Sequence, residues 1–180
     1  MYAILLLISS QIIALQTSSK THSGKSLFQT ILLAGVIAGA LDAAAATIDF
    51  YVATGKGPVR IFVYIASGVF GKQTDLNTQS MAIFGVLFHF LIAIIFSAFY
   101  FWVYPGIQFL HRNKLFSAFL YGIFIWLVMN LLVVPLSITH VWTFQLMKML
   151  KTVIILIVCV GIPVTFMANS FYRKRVINKT

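Results

Sequence analysis

Leu27-Phe-Gln-Thr-Ile-Leu-Leu-Ala-Gly35-Val-Ile-Ala-Gly39-Ala-Leu-Asp42-Ala-Ala-Ala-Ala-Thr-Ile48 is an apolar stretch carrying a single charge, the carboxylate of Asp42. The run reads on through Asp49 to Ala53, long enough to cross a hydrocarbon core of roughly 30 Å. No proline interrupts it and Gly55-Lys56-Gly57-Pro58 closes it, so 29–54 is predicted as a transmembrane helix. A charge at mid-depth is costly in lipid and normally faces a helix bundle or an aqueous cavity. Asp42 is therefore the first candidate functional residue.

The rest of the chain has the same solvent. Of its 180 residues 61% are hydrophobic and 9% charged, and the mean hydropathy is +0.98, far from the soluble average. Three further apolar runs reach the length of a span, at 81–104, 115–137 and 144–172. The fold class is thus all-α, a polytopic transmembrane bundle. Its organisation is an N-terminal apolar segment and linker over 1–28, one bundle over 29–172 and a basic tail over 173–180. Tyr100, Trp102 and Tyr104 at the end of the second run, with Trp142, Phe144, Phe171 and Tyr172 around the fourth, read as aromatic belts at headgroup depth.

Two segments leave alternatives open. Met1 to Gln16 is apolar, but as a helix would span only about 24 Å. A secretory signal would carry positive charge before the apolar core, whereas Lys20 and Lys25 follow it. The other readings are a short reverse anchor, an interfacial helix or an early start. Pro58 to Gly71 reads as a short helix, opened by proline at a helix-start position and closed by glycine. It is either interfacial, with Arg60 snorkelling toward phosphates, or a re-entrant hairpin turning at Gly68 and Gly71. A re-entrant backbone is tolerated only against protein or a water-filled cavity.

The net charge of +10 punctuates apolar runs, which favours membrane topology over nucleic acid as its cause. Beside the spans, Lys20, Lys25, Arg112, Lys114, Arg173, Lys174, Arg175 and Lys179 fall on one side, against Lys56, Arg60, Lys72, Lys148 and Lys151 on the other. The richer side should be cytoplasmic, and with it the C-terminus. The Arg173-Lys174-Arg175 cluster reads as a stop-transfer and anionic-lipid anchor.

Helices in lipid associate through small residues. Gly35 and Gly39 form a GxxxG motif, flanked by Ala34 and Ala38. On the second span Gly85, His89, Ala93 and Ser97 share a face, as do Ala118, Gly122, Trp126 and Asn130 on the third. Both faces are expected to meet the first helix. Counted along the helices, Asp49, His89, Asn130 and Lys151 lie roughly 7 to 12 Å from the outer surface and Asp42 about 18 Å. They form a candidate polar site at which protons or a cation bind and Lys151 neutralises Asp49. The plainer alternative is that these groups hold helices together, with Asp42 carried uncharged or paired with His89.

Catalytic signatures are missing: there is no GxSxG, HExxH, P-loop, dinucleotide fingerprint or cluster of metal ligands. His22, His111, His140 and Asp75 fall outside the spans and read as solvated. Cys159 is the only cysteine, so no intrachain disulfide or CxxC site forms. No cofactor, metal or nucleic-acid partner is expected, and catalysis ranks behind two other readings. One is a non-catalytic membrane protein that packs with lipid, a second copy or a membrane-protein partner through the small-residue face. The other is a small transporter or channel subunit for protons, cations or a small solute, built on Asp42, His89 and Asn130. Pro135 and Pro163 are expected to mark kinks.

Gly35-x3-Gly39-x2-Asp42, Pro58-x-Arg60-Ile61 with Ala66-Ser67-Gly68, Gly85-x3-His89-Phe90, and Met129-Asn130-x4-Pro135-Leu136-Ser137 resemble a family of small bacterial inner-membrane proteins, loosely YagU-like. The likeness covers 31–163. It implies four helices in a bacterial cytoplasmic membrane and brings no established activity; the N-terminal apolar segment departs from that plan.

Overall fold

The computed structural model describes residues 26–71, 76–136 and 146–177. The N-terminal apolar segment, Asp75, His22, His140, and Trp142 with Phe144 lie outside the described residues. Every regular element among those described is helical. In chain order they are α1 (Leu27–Thr54), α2 (Val59–Phe70), α3 (Thr78–Val103), a 3₁₀ turn (Tyr104–Gly106), α4 (Gln108–Arg112) and α5 (Lys114–Val128). After α5 come a π-helical turn (Met129–Val133), α6 (Val134–Leu136), α7 (Leu146–Leu156), a second π-helical turn (Ile157–Gly161) and α8 (Ile162–Ile177). Four stretches are long and apolar enough to cross a membrane: Leu27–Thr54, Thr78–Gly106, Lys114–Val133 and Leu146–Arg173. The chain is a multi-pass helical membrane protein.

Local chemistry sets the ends. α1 begins at Leu27, earlier than the apolar pattern suggests, because Ser26 and Gln29 form a capping box. The Ser26 hydroxyl accepts from the Gln29 amide at 3.2 Å, and the Gln29 side chain accepts from the Ser26 amide at 3.1 Å. Asn77 caps α3 by accepting from the Ser80 amide at 2.8 Å, and Asn113 caps α5 through the Phe116 amide at 3.2 Å. Gly55, at φ 68°, ends α1 in a left-handed turn. Each π-helical turn ends two residues before a proline, Pro135 or Pro163. A proline ring has no N–H and presses on the preceding turn, and a wide turn relieves that strain.

Small residues decide which helices touch. A Cβ on Gly35 would stand 2.7 Å from the Cα of Ile94, and one on Gly39 would stand 3.1 Å from the Ala93 Cβ. The GxxxG motif is therefore consumed inside the bundle, between the first and second spans. Gly122 presses on Ile157, where a Cβ would stand 2.7 Å from the Cα, and Gly161 presses on the backbone of Ala118, closing the third span on the fourth. The face of the second span meets the first helix as expected, through His89 and Ala93 against Gly39, but the expectation is corrected for Gly85 and for the third span. Gly85 lies against the backbone of Phe62 in α2, and the face of Gly122 meets the fourth span.

The second and third spans stand further apart, and aromatic side chains fill the space between them. Tyr100 and Tyr121 approach to 4.4 Å between ring centroids, Phe99 and Phe124 to 5.2 Å, and the Tyr121 hydroxyl donates to the Phe96 carbonyl at 2.7 Å. α2 is one continuous helix packed along the N-terminal half of the second span, with Ala66 and Ser67 buried. It runs straight through Gly68, so no hairpin turn forms there.

The end of the bundle that carries Tyr104 and Asn169 holds a polar core. Tyr100 shares a 2.6 Å hydrogen bond with Ser117 and accepts from the Thr165 hydroxyl at 3.0 Å. Tyr104 donates to Asn169 at 3.3 Å, and Tyr172 donates to the Phe101 carbonyl at 2.8 Å. Tyr100 and Tyr104 are buried, which corrects their assignment to an aromatic belt; Trp102 between them is 77% exposed and fits that role. Ser97 is fully buried, and its hydroxyl meets no partner among the described residues. Removing such a group relieves an unmet desolvation penalty. Ser97→Ala is expected to leave thermal stability in detergent unchanged or raised by about 1 kcal/mol, as read by a melting curve.

Candidate functional site

α1 and α3 run antiparallel with their glycine contacts in register, which brings Asp42 to His89. Because α3 begins at Thr78, His89 lies about 16 Å from its N-terminal end rather than in the shallow layer, level with Asp42 about 18 Å from the C-terminal end of α1. Both side chains line a cavity of about 100 Å³, room for a few water molecules. Gly39, Ile65, Ile92, Met129 and Val160 supply apolar walls from α2 and all four spans. His89 Nε2 lies 2.9 Å from the Gly39 carbonyl oxygen. A carbonyl only accepts, so Nε2 carries the hydrogen, and His89 is either the Nε2–H neutral imidazole or the imidazolium. The ring also meets Phe62 of α2 edge-on at 6.3 Å. Asp42 is close enough to interact electrostatically with His89 and with the thiol of Cys159 on the fourth span.

The remaining predicted residues go elsewhere. Asp49 pairs with Lys151 across the first and fourth spans, with side chains 42% and 60% exposed. This matches the pairing expected from depth, but it stands apart from the cavity. Asn130 turns back on its own helix and donates to the Trp126 carbonyl at 2.8 Å, so it does not join a layer with Asp49, His89 and Lys151. The candidate site thus separates into an ion pair toward the C-terminal end of α1, a self-bonded amide and the Asp42–His89 cavity. Among the described residues no group of three His, Cys, Asp or Glu side chains is placed to hold a metal ion. The exposed pair contributes little by its geometry: a double-mutant cycle on Asp49→Asn and Lys151→Met is expected to return a coupling below about 1 kcal/mol.

Sequence reasoning missed the polar core around Tyr100 and Tyr104, although a signal was present. Tyr100 with Tyr104, Ser117 with Tyr121, and Thr165 with Asn169 are each four apart, a spacing that puts both members on one helix face. It also missed the placement of the two π-helical turns at the cavity wall, where Met129 opens the first and Val160 belongs to the second. Wide turns of this kind recur at functional sites.

Comparisons with family models, curated proteins and solved structures return no match to this chain.

Proposed function

We propose that this is a protein of a bacterial cytoplasmic membrane, with its C-terminus inside, in which Asp42 and His89 bind a proton or small cation within a small transporter or channel subunit. The observation carrying this reading is that an acid and an imidazole from two different spans line one cavity near mid-depth. Carboxylates persist at such depth where they serve a path or a counter-ion. Orientation rests on the bias of Lys and Arg toward the α4 side of the bundle.

The test is proton flux in proteoliposomes, followed with a trapped pH-sensitive dye under an imposed gradient. Wild-type flux should exceed that of empty vesicles, and Asp42→Asn should fall to their level while staying folded. Equal flux in the variant would overturn the reading.

One observation favours a second reading, a non-catalytic bundle. The His89 bond to the Gly39 carbonyl acts as a clasp between the first two spans whatever the state of Asp42. On that reading partner binding cannot use the GxxxG face, which the second span already covers. A stable hetero-complex with no flux would favour it.

A further inference from the structure

Beside the Asp42–His89 cavity runs a lateral groove of about 400 Å³ between α2, the second span and the third. Its walls include Leu91, Leu132 and Leu136, and the only ionisable side chain on them is the phenol of Tyr64. The groove exists because the second and third spans lack the glycine contacts that close the other pairs. Ile65, Ile92 and Met129 line both the groove and the cavity, so these three side chains form the partition between lipid and carboxylate. Met129 is unbranched and adaptable, and it opens a π-helical turn, where the helix is least tightly wound.

We infer that this joint site takes a hydrophobic cation, a compact onium head beside Asp42 with its alkyl chain in the groove, entering sideways from the bilayer past Ile65, Ile92 and Met129. The inference rests on the reading of Asp42 as an exchangeable carboxylate and names the substrate class. Among the described residues Asp42 is the only carboxylate on the cavity wall. The titratable groups facing it are His89 from the second span and Cys159 from the fourth. His89 gives its Nε2 hydrogen to Gly39, so that hydrogen is not directed at the carboxylate. A neutral chain would gain nothing from the carboxylate and an anion would be repelled by it, whereas a cation pairs with it. The combined space, mostly apolar with one convergent charge, has the character of a small-molecule site.

The test uses full-length protein in nanodiscs and modification of Asp42 by dicyclohexylcarbodiimide, located by mass spectrometry. Decyltrimethylammonium is the cation probe and decanol the uncharged control. Labelling without additive reports the exchangeable carboxylate alone; if Asp42 never labels, that reading fails and this inference with it. The expected result is that the cation slows labelling roughly ten-fold, decanol does not, and Leu132→Trp abolishes the protection without abolishing labelling. Leu132 is 56% exposed, so the indole fills the groove without entering the core; Leu91→Trp repeats the test from the opposite wall. Normal labelling with no protection, equal protection by decanol, or protection that survives both tryptophans would each overturn the inference and leave the proton site standing.

Discussion

Gly85→Val is expected to lower stability by about 3 kcal/mol and to free α2 from the bundle. The hydrogen that stands for a side chain at this position faces the main chain of Phe62, so any Cβ there meets a carbonyl group rather than a rotatable tip. A side-chain clash is relieved by a new rotamer; this one needs a whole helix to move. α2 holds Phe62 and Ile65 over the Asp42–His89 cavity, so its displacement would also open the site. Thermal unfolding in detergent measures the first effect and hydrogen exchange over 59–70 the second. Gly106→Ala is the control, since nothing lies within 4 Å of a Cβ at Gly106, and it should change neither.

His89→Ala is expected to cost about 3 kcal/mol, more than Asp42→Asn. Removing the imidazole breaks the link to the Gly39 carbonyl, adds empty space and leaves a carboxylate in an apolar cavity with no basic neighbour on its wall. Asp42→Asn removes the charge but keeps the shape. Combining the two should therefore cost less than their sum, with a coupling of about 1 kcal/mol or more, because the charge that made the first change so damaging is gone. Melting curves of the two single variants and the double variant in one detergent read this directly. Additive costs would mean that Asp42 and His89 do not sense each other.

The spans were legible because hydrocarbon thickness imposes a length on apolar runs whatever their faces. Faces were harder. Counting residues along a helix yields depth but not azimuth, and Asn130 illustrates the difference: its amide has a partner in its own Trp126 carbonyl, so shared depth never obliged it to join the other polar groups. The aromatic residues at the end of the second span show the same thing. Tyr100 and Tyr104 are four apart and turn inward, while Trp102, halfway between, points outward. Periodicity separates these two sets only once another helix is known to cover one of them. The Asp42–His89 meeting hinged on a cap, since the start of α3 at Asn77 sets His89 deeper than the apolar pattern places it.

Each π-helical turn holds its neighbours as though one residue had been slipped into an ordinary helix. Deleting one residue from 157–161 would therefore let the wide turn close into regular α-helix and leave Thr165 and Asn169 facing Tyr100 and Tyr104, their present hydrogen-bond partners. Between Leu156 and Ile162 the fourth span thus carries a residue of slack, and a one-residue deletion there should cost the bundle less than the roughly 100° swing that the same loss imposes on a regular helix.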